Sequence, residues 1–134
     1  MRLSRTPFCA AVATVVLALG ACGGGNDEED AENAVKEIAK ASSAADGEKF
    51  CGLLTEDFRE KFAGSSGDNA DGGCEKLVDS QKGNELKVTR IMKVELDGDK
   101  ATVTAELERR GRKLPQVFEL KKEGGEYRLT GESR

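Results

Sequence analysis

The spacing of apolar residues changes near Gly83, and this change limits the folds that the chain can adopt. Before Gly83, apolar residues recur every three or four positions, which is typical of helices that bury one face. After Gly83, apolar and polar residues alternate, which is typical of strands with one buried face. Helices followed by antiparallel strands predict an α+β domain in which the helices cover the apolar face of the sheet.

The helical part divides at capping and turn residues. A first helix is predicted over residues 31–45, and Asp46 starts the turn that ends it. A second helical segment follows, and Thr55 is expected to cap its continuation because a Thr hydroxyl can accept a hydrogen bond from the first turn of a helix. A loop rich in Gly, Ser, Asn and Asp over residues 64–73 then precedes a short helix.

About four strands are predicted after these helices, joined by tight turns. They cover residues 86–96, residues 101–107, a segment carrying Phe118 and Leu120, and residues 126–130. Together they form an antiparallel meander with one buried face. The inward side chains of the first strand are expected to be Leu86, Val88, Met92, Val94 and Leu96.

The N-terminal residues resemble the lipobox of bacterial lipoprotein precursors. Arg2 and Arg5 precede an apolar stretch from Phe8 to Leu19, and Leu-Gly-Ala-Cys ends it at Cys22. The stretch is shorter than the roughly 20 apolar residues of a membrane-spanning helix. The resemblance implies a signal peptide over residues 1–21 and a diacylglyceryl anchor on Cys22. An ordinary secretory signal and an uncleaved anchor are the alternatives.

The composition after the signal predicts one small exported domain. Gly, Asn, Asp and Glu dominate residues 22–30, which predicts a flexible acidic tether, and residues 31–134 have the length of a single domain. The whole chain has a formal net charge of −4, and loss of the two arginines with the signal makes the remainder more acidic. An acidic domain argues against nucleic-acid binding.

Cys51 and Cys74 form an even pair in the exported domain. An extracytoplasmic compartment favours a disulfide between them, and two buried free thiols are the alternative. The chain has no His, so these two thiols fall short of the four ligands of a structural zinc site. The prediction is a Cys51–Cys74 disulfide and no metal site.

The domain also resembles the small NTF2-like, or cystatin-like cone, lipoproteins of actinobacteria. The similarity covers residues 31–134 and rests on a Cys-x-Leu-Leu-Thr segment at 51–55, a hairpin at 94–103 and the closing segment 120–129. The resemblance implies N-terminal helices packed on a strongly curved sheet, with a cavity open at one end of the cone. It brings no catalytic signature and no cofactor.

Catalysis is not predicted from the residues available. The chain has no His and a single Tyr, Tyr127, and its carboxylates fall mainly in loops, caps and outward strand positions. General acid and base groups of the kind used by cavity enzymes are therefore missing. The sequence predicts a non-enzymatic protein.

Arg90, Gln116 and Tyr127 are the candidate ligand-binding residues. Arg90 falls on the otherwise apolar side of its strand, where a guanidinium can pair with an anionic ligand. The alternative is a β-bulge near Arg90 and Ile91 that turns Arg90 into solvent, and the alternative for Gln116, beside Pro115, is an edge-strand position. A basic cluster at a hairpin, either contacting anionic lipid or wall polymer or simply solvated, contains Arg109, Arg110, Arg112 and Lys113.

These features together predict a lipoprotein anchored to the extracytoplasmic face of the cell membrane. Its domain is expected to act as a binding or interaction module. The partner is either a small apolar or amphiphilic molecule in the cone or another envelope protein on the sheet. A hollow cavity of several hundred Å³ favours the first, and a filled cone with an exposed apolar patch or open sheet edge favours the second. A purely structural envelope lipoprotein and, after it, a cavity enzyme are the remaining alternatives.

Overall fold

The computed structural model describes residues 24–65 and 70–133. The predicted signal peptide over residues 1–21 and Cys22 lie outside these ranges. Within them, no helix is long and apolar enough to cross a membrane. The described helices are α1 (Gly24–Ser43), α2 (Gly47–Gly52), α3 (Glu56–Gly64) and α4 (Ala70–Asp79), and the strands are β1 (Leu86–Asp97), β2 (Lys100–Arg109), β3 (Arg112–Glu123) and β4 (Glu126–Ser133).

The four strands form one antiparallel sheet in the order β1-β2-β3-β4. Each strand follows its neighbour through a short hairpin, as the alternating pattern predicts. Gly124 and Gly125 connect β3 to β4 with φ values of +61° and +87°, a backbone conformation that favours glycine at both positions of a two-residue hairpin. The α+β prediction is confirmed, with the helices on one face of a curved four-stranded sheet.

Helix α1 begins earlier than the sequence predicts. Residues 24–30 belong to the helix, although the composition of residues 22–30 predicted a flexible tether. Two contributions explain the difference. Acidic side chains in the first turns of a helix interact favourably with its dipole, and the carboxylate of Asp27 accepts a hydrogen bond from Lys122 Nζ at 2.6 Å. The acidic run is therefore the first part of α1.

The short helices start at the predicted capping residues. The Asp46 side chain accepts a hydrogen bond from Lys49 N and caps α2, and the Thr55 hydroxyl accepts one from Phe58 N and caps α3. Thr55 N also donates to the carbonyl of Leu129 at 2.8 Å, so the segment between α2 and α3 pairs with β4. Helix α4 begins at Ala70, four residues before the predicted start at Cys74.

Strand β1 departs from simple alternation at two bulges. Thr89 and Met92 each stand as an extra residue opposite β2, where the register shifts. Each extra residue reverses the side to which the following side chains point. Ile91 therefore packs against the core, and the prediction that Met92 points inward is wrong, since Met92 is 51% exposed. Leu96, also predicted inward, is exposed near the end of the strand.

The core lies between α1 and the inner face of the sheet. Strand β2 supplies the regular alternation that the sequence predicts, with Ala101, Val103, Ala105 and Leu107 all buried. Residues buried without measurable exposure come from every layer, which shows that helices and sheet share one core. They include Val35, Val103, Phe118 and Leu129.

Candidate functional site

A cavity of about 410 Å³ lies between the helices and one end of the sheet. This end carries the β2–β3 hairpin, the start of β1 and the end of β4. We call it the mouth end, and the polar rim of the cavity the mouth. The lining residues are Ile38, Ser42, Phe50, Phe58, Phe62, Val78, Gln81, Leu86, Leu107, Arg109, Arg112, Leu114, Pro115, Gln116, Glu132 and Ser133.

The inner part of the cavity is apolar. Ile38, Val78 and Leu107 are buried and come from α1, α4 and β2, so three elements meet there. The α3 rings complete the surface, since the Phe62 ring centroid lies 5.7 Å from that of Phe50 and 6.5 Å from that of Phe58. Phe58 and Phe62 share a helix face because they are four positions apart and the Thr55 cap fixes the start of that helix. We call this surface the floor.

The mouth is polar. The amide Nε2 of Gln116 donates to the carboxylate Oε2 of Glu132 at 2.7 Å, and Arg109 and Arg112 stand opposite each other where β2 passes into β3. Leu114 also borders the opening and is 57% exposed. An amphiphilic molecule would find apolar contacts inside and polar partners at the rim.

The helices around the cavity are joined by a covalent bond. Cys51 of α2 and Cys74 of α4 form a disulfide with their Cα atoms 6.2 Å apart, which confirms the predicted pairing. Phe50 and Val78, which line the floor, belong to these same two helices. The disulfide therefore fixes the spacing of two walls of the cavity.

The sequence-predicted binding residues do not share one site. Gln116 lines the cavity. Arg90 lies on the outer face of the sheet, with 65% of its side chain exposed and its guanidinium 3.9 Å from the Glu106 carboxylate. The bulge at Thr89 causes this placement, because the extra residue turns Arg90 away from the core. The structure thus has the bulge that the sequence analysis gave as the alternative to a ligand contact.

Gln116 follows Pro115 at a local sheet edge. Strand β3 lies inside the sheet, but its pairing with β4 starts only at Val117, which faces Ser133. Residues 112–116 are thus paired with β2 alone, and Pro115 is tolerated because a proline cannot donate a ladder hydrogen bond. Leu114, Pro115 and Gln116, in this part of β3, line the cavity.

Tyr127 lies at the other end of the sheet, which we call the closed end. Its side chain is buried, and Lys122 Nζ stands 5.5 Å from the centre of its ring. Burial raises the pKa of the Tyr127 hydroxyl, and Asp27 adds to the effect. The hydrogen bond to Asp27 raises the pKa of Lys122. Tyr127 is part of this packing and does not line the cavity.

Sequence reasoning missed Arg109 and Arg112 as cavity residues. It grouped them with Arg110 and Lys113 as one basic hairpin cluster, whereas only the first two line the cavity. The signal was available in the strand period, since Arg109 is two positions after the inward Leu107 and therefore shares its side of the strand.

A second depression of about 530 Å³ runs between α1 and β1. Lys36, Lys40 and Lys87 line it, as does Ser43, whose hydroxyl accepts a hydrogen bond from Leu86 N at 2.7 Å. It is a surface groove that is more open than the first cavity. Within the described residues, no group of three or more Cys, Asp or Glu residues could hold a metal ion.

Comparison with known proteins identifies the fold. No family model and no curated protein matches the sequence. Among solved structures, an NTF2-like protein of unknown function from Shewanella baltica superposes with a TM-score of 0.57 at 11% identity, covering 82% of this chain and 93% of that one. The fold is NTF2-like. An NTF2-like protein of unknown function from Shewanella oneidensis gives a TM-score of 0.52 at 15% identity over 78% of this chain and 94% of that one.

A de novo designed protein with a curved β-sheet also superposes on this NTF2-like domain, with a TM-score of 0.50 at 18% identity over 74% of this chain and 92% of that one. Identities this low relate the proteins by fold alone. The NTF2-like fold supports several functions, so the function of this domain has to be argued from its own cavity.

Proposed function

We propose that this protein is a membrane-anchored, extracytoplasmic lipoprotein whose NTF2-like domain holds a small apolar or amphiphilic molecule without transforming it. The observation that carries the proposal is the cavity at the mouth end, with its apolar floor and polar rim. Its volume of about 410 Å³ lies within the range of about 300–1,000 Å³ that is typical of small-molecule sites.

A binding role fits the side chains of the cavity better than catalysis. Among the described lining residues, the only carboxylate belongs to Glu132, which lies at the exposed rim and accepts a hydrogen bond from Gln116. The phenol of Tyr127 lies at the closed end. General acid–base chemistry needs a titratable group within reach of the bound molecule, and the floor offers Phe, Ile, Val and Leu side chains instead.

The proposed anchor fits the direction of α1. Cys22 lies two residues before Gly24, so it is within about 7 Å of the start of α1 by chain length alone. Helix α1 starts beside Lys122 at the closed end and ends beside Leu86 at the mouth end. A lipid on Cys22 would therefore hold the closed end near the membrane and direct the mouth away from it.

A second candidate function is docking of another envelope protein. Strand β1 is an edge of the sheet, and Met92 and Leu96 on this strand are exposed. Exposed apolar side chains beside an unpaired strand edge are typical of contact surfaces. These are only two side chains, and they are not shown to form one patch, so we place this function second.

Native mass spectrometry of the mature full chain, purified in mild detergent from its own membrane, tests both candidates. We expect a diacylglyceryl group on Cys22, the mass deficit of two hydrogens from the disulfide, and a co-purified small molecule. The variant Ser42→Trp places an indole in the cavity and should remove the small-molecule adduct. Asn33→Trp is the matched control, because Asn33 is exposed on the same helix and does not line the cavity.

The outcomes separate the two functions. Loss of the adduct in Ser42→Trp alone supports cavity binding. A lipidated chain that carries no small molecule, but can be crosslinked through β1 to another envelope protein, supports docking. An unmodified Cys22 contradicts the anchored lipoprotein irrespective of what the cavity holds.

A further inference from the structure

The basic side chains near the mouth differ in their partners. Arg90 and Lys113 lie 3.9 and 3.6 Å from the carboxylate of Glu106 on the outer face of the sheet. Arg110 Nη2 donates to Asn84 Oδ1 at 2.6 Å. Each of these cations is satisfied by a neighbouring side chain outside the cavity.

Arg109 and Arg112 have no such partner. Among the described residues, neither guanidinium has a hydrogen bond or an ion pair, and both side chains line the mouth. They face each other at the end of the β2–β3 ladder, so their side chains leave the backbone at neighbouring points. Both arginines are exposed, so water weakens their mutual repulsion, and an anion bound between them would turn it into attraction.

The charge of the mouth is opposite to that of the chain. The protein has a net charge of −4, whereas the charged side chains that line the described cavity are Arg109, Arg112 and Glu132. Glu132 accepts a hydrogen bond from Gln116, which directs its carboxylate toward that amide. A basic opening on an acidic protein favours anions at that place.

We infer that the ligand of the cavity is a single-chain amphiphile with an anionic head, which Arg109 and Arg112 bind while its apolar chain lies on the floor. This inference rests on the proposed function and adds the class of ligand. A guanidinium offers paired donors that match the two oxygens of a carboxylate or a phosphate. The floor, with Phe58 and Phe62 beneath the mouth, gives no polar partner to a ligand that is charged throughout.

Both parts of the site are needed for this ligand. An inorganic anion would gain the guanidinium contacts but would leave the floor empty. A neutral apolar molecule would fill the floor but would leave two adjacent cations without a counter-charge. An anionic head on an apolar chain meets both requirements, and the one cavity joins the two surfaces.

Calorimetric titration of the full chain in phosphatidylcholine nanodiscs tests the inference, with empty nanodiscs as the blank. The titrants are decanoate, decyl phosphate, decanol and inorganic phosphate. We expect the two anionic amphiphiles to bind about tenfold more tightly than decanol, because hydrogen bonds between charged groups exceed neutral ones by roughly that factor. The relative affinities of decanoate and decyl phosphate indicate which head group the site prefers.

Matched variants test whether the arginines of the mouth cause the preference for anionic amphiphiles. The double variant Arg109→Gln/Arg112→Gln should bind decanoate, decyl phosphate and decanol with similar affinity. The control Arg90→Gln/Arg110→Gln removes the same charge outside the cavity and should keep the preference. Arg112→Lys keeps the charge but loses the paired donors, and an intermediate preference is expected.

Three results would overturn the inference, and they differ in what else they contradict. If the tenfold preference for anionic amphiphiles persists in Arg109→Gln/Arg112→Gln, these arginines do not bind the anionic head, and the proposed cavity binding still stands. Inorganic phosphate that binds as tightly as decyl phosphate shows an anion site without an apolar chain. If none of decanoate, decyl phosphate and decanol binds the unmodified protein, the inferred ligand class and the proposed binding function are both contradicted.

Discussion

The charged side chains at the two ends of the sheet differ in whether they have a partner within the described chain. At the closed end, Lys122 Nζ lies 2.6 Å from the Asp27 carboxylate and 5.5 Å from the centre of the Tyr127 ring. At the mouth end, the guanidinium groups of Arg109 and Arg112 contact no described acidic side chain. The start of α1 supplies the partner at the closed end, and none of the described helical side chains supplies one at the mouth.

This difference supports the anionic ligand that we propose for the mouth. A charged group that borders buried surface is stable when an opposite charge or a hydrogen bond compensates it. At the closed end, Lys122 and Asp27 meet this requirement with each other, although the buried Tyr127 hydroxyl has no hydrogen-bond partner among the described residues. At the mouth, Arg109 and Arg112 are exposed to water, and the anionic head that we propose would be their partner from outside the chain.

The helices at the two ends are also held differently. Helix α1 runs the length of the sheet and packs on it through Val35 and Ile38. Helices α2 and α4 stand over the cavity, and the disulfide between Cys51 and Cys74 joins them. We therefore expect the mouth end to depend on covalent and close backbone contacts, and the closed end on ion pairing.

The largest expected effect comes from removal of the disulfide. The double variant Cys51→Ala/Cys74→Ala should lower the free energy of unfolding by about 3 kcal/mol, because the bond closes a loop with a sequence separation of 23 residues. Urea unfolding monitored by circular dichroism measures this change. A loss below about 1 kcal/mol would mean that packing alone holds the helices over the cavity.

The close approach of α2 to α4 should be the next most sensitive point. A Cβ on Gly47 would lie 2.8 Å from Glu75 Cα, which is backbone and cannot turn aside. Gly47→Ala should therefore lower the free energy of unfolding by roughly 1–3 kcal/mol, as overpacking usually does.

Gly52→Ala is the matched control for Gly47→Ala. Gly52 belongs to the same helix, and its Cβ would meet nothing within 4 Å. The same urea experiment should show no loss, and a gain of up to about 1 kcal/mol is expected because alanine restricts the unfolded chain. Equal losses in both variants would contradict the close contact between α2 and α4.

The closed end can be tested by measuring the pKa of the Tyr127 hydroxyl, since Tyr127 is the only tyrosine of the chain. Burial, with Asp27 as a further cause, raises the pKa of Tyr127. Ultraviolet difference spectra should therefore show tyrosinate forming above the ordinary pKa of a tyrosine. Because the pKa is raised in the folded state, the stabilisation is complete below the ordinary value and is lost as the pH rises through the raised one.

Two variants assign this shift to its neighbours. Asp27→Asn should lower the pKa of Tyr127, because a negative charge is removed, and Lys122→Gln should raise it further, because a positive charge is removed. A hydroxyl that titrates at its ordinary value in the folded protein would mean that the closed end is open to solvent. The comparison between the two ends would then no longer hold.

The sequence predicted the elements whose pattern is local. In β2 the alternation of Ala101, Val103, Ala105 and Leu107 continues without interruption, and each of these side chains is buried as predicted. The Thr55 cap and the Cys51–Cys74 disulfide likewise follow from residues close in the chain or from the parity of the cysteines. Local pattern was sufficient where no distant partner competes with it.

Elements that depend on distant partners were predicted less well. The bulges at Thr89 and Met92 are defined by the register against β2, and a single strand sequence does not contain that register. The first turns of α1 are joined to Lys122, which lies 95 positions away from Asp27. The cavity combines residues from Ile38 to Ser133, so its lining follows from the topology of the whole domain.

The smallest expected effect concerns the outer face at the mouth end, where Glu106 keeps its basic neighbours away from the cavity. The hydroxyl of Thr89 donates to Glu106 Oε1 at 2.8 Å and, with Lys113 and Arg90, lowers the pKa of this carboxyl. Thr89→Val removes the hydroxyl and keeps the branched shape, so the pKa of Glu106 should rise toward its ordinary value. Thr102→Val, on the neighbouring strand, should leave it unchanged.

Carboxyl carbon shifts measured by nuclear magnetic resonance against pH report the pKa of Glu106 directly. Because that pKa is lowered in the folded state, the associated stabilisation is present above the ordinary value and is lost as the pH falls through the lowered one. Thr89→Val should therefore begin to lose stability at a slightly higher pH than the unmodified protein. If the pKa of Glu106 stays low in Thr89→Val, other cations must hold this carboxylate. Lys113 and Arg90, which lie 3.6 and 3.9 Å from the Glu106 carboxylate, are the nearest such cations, and their attraction alone would then account for the lowered pKa.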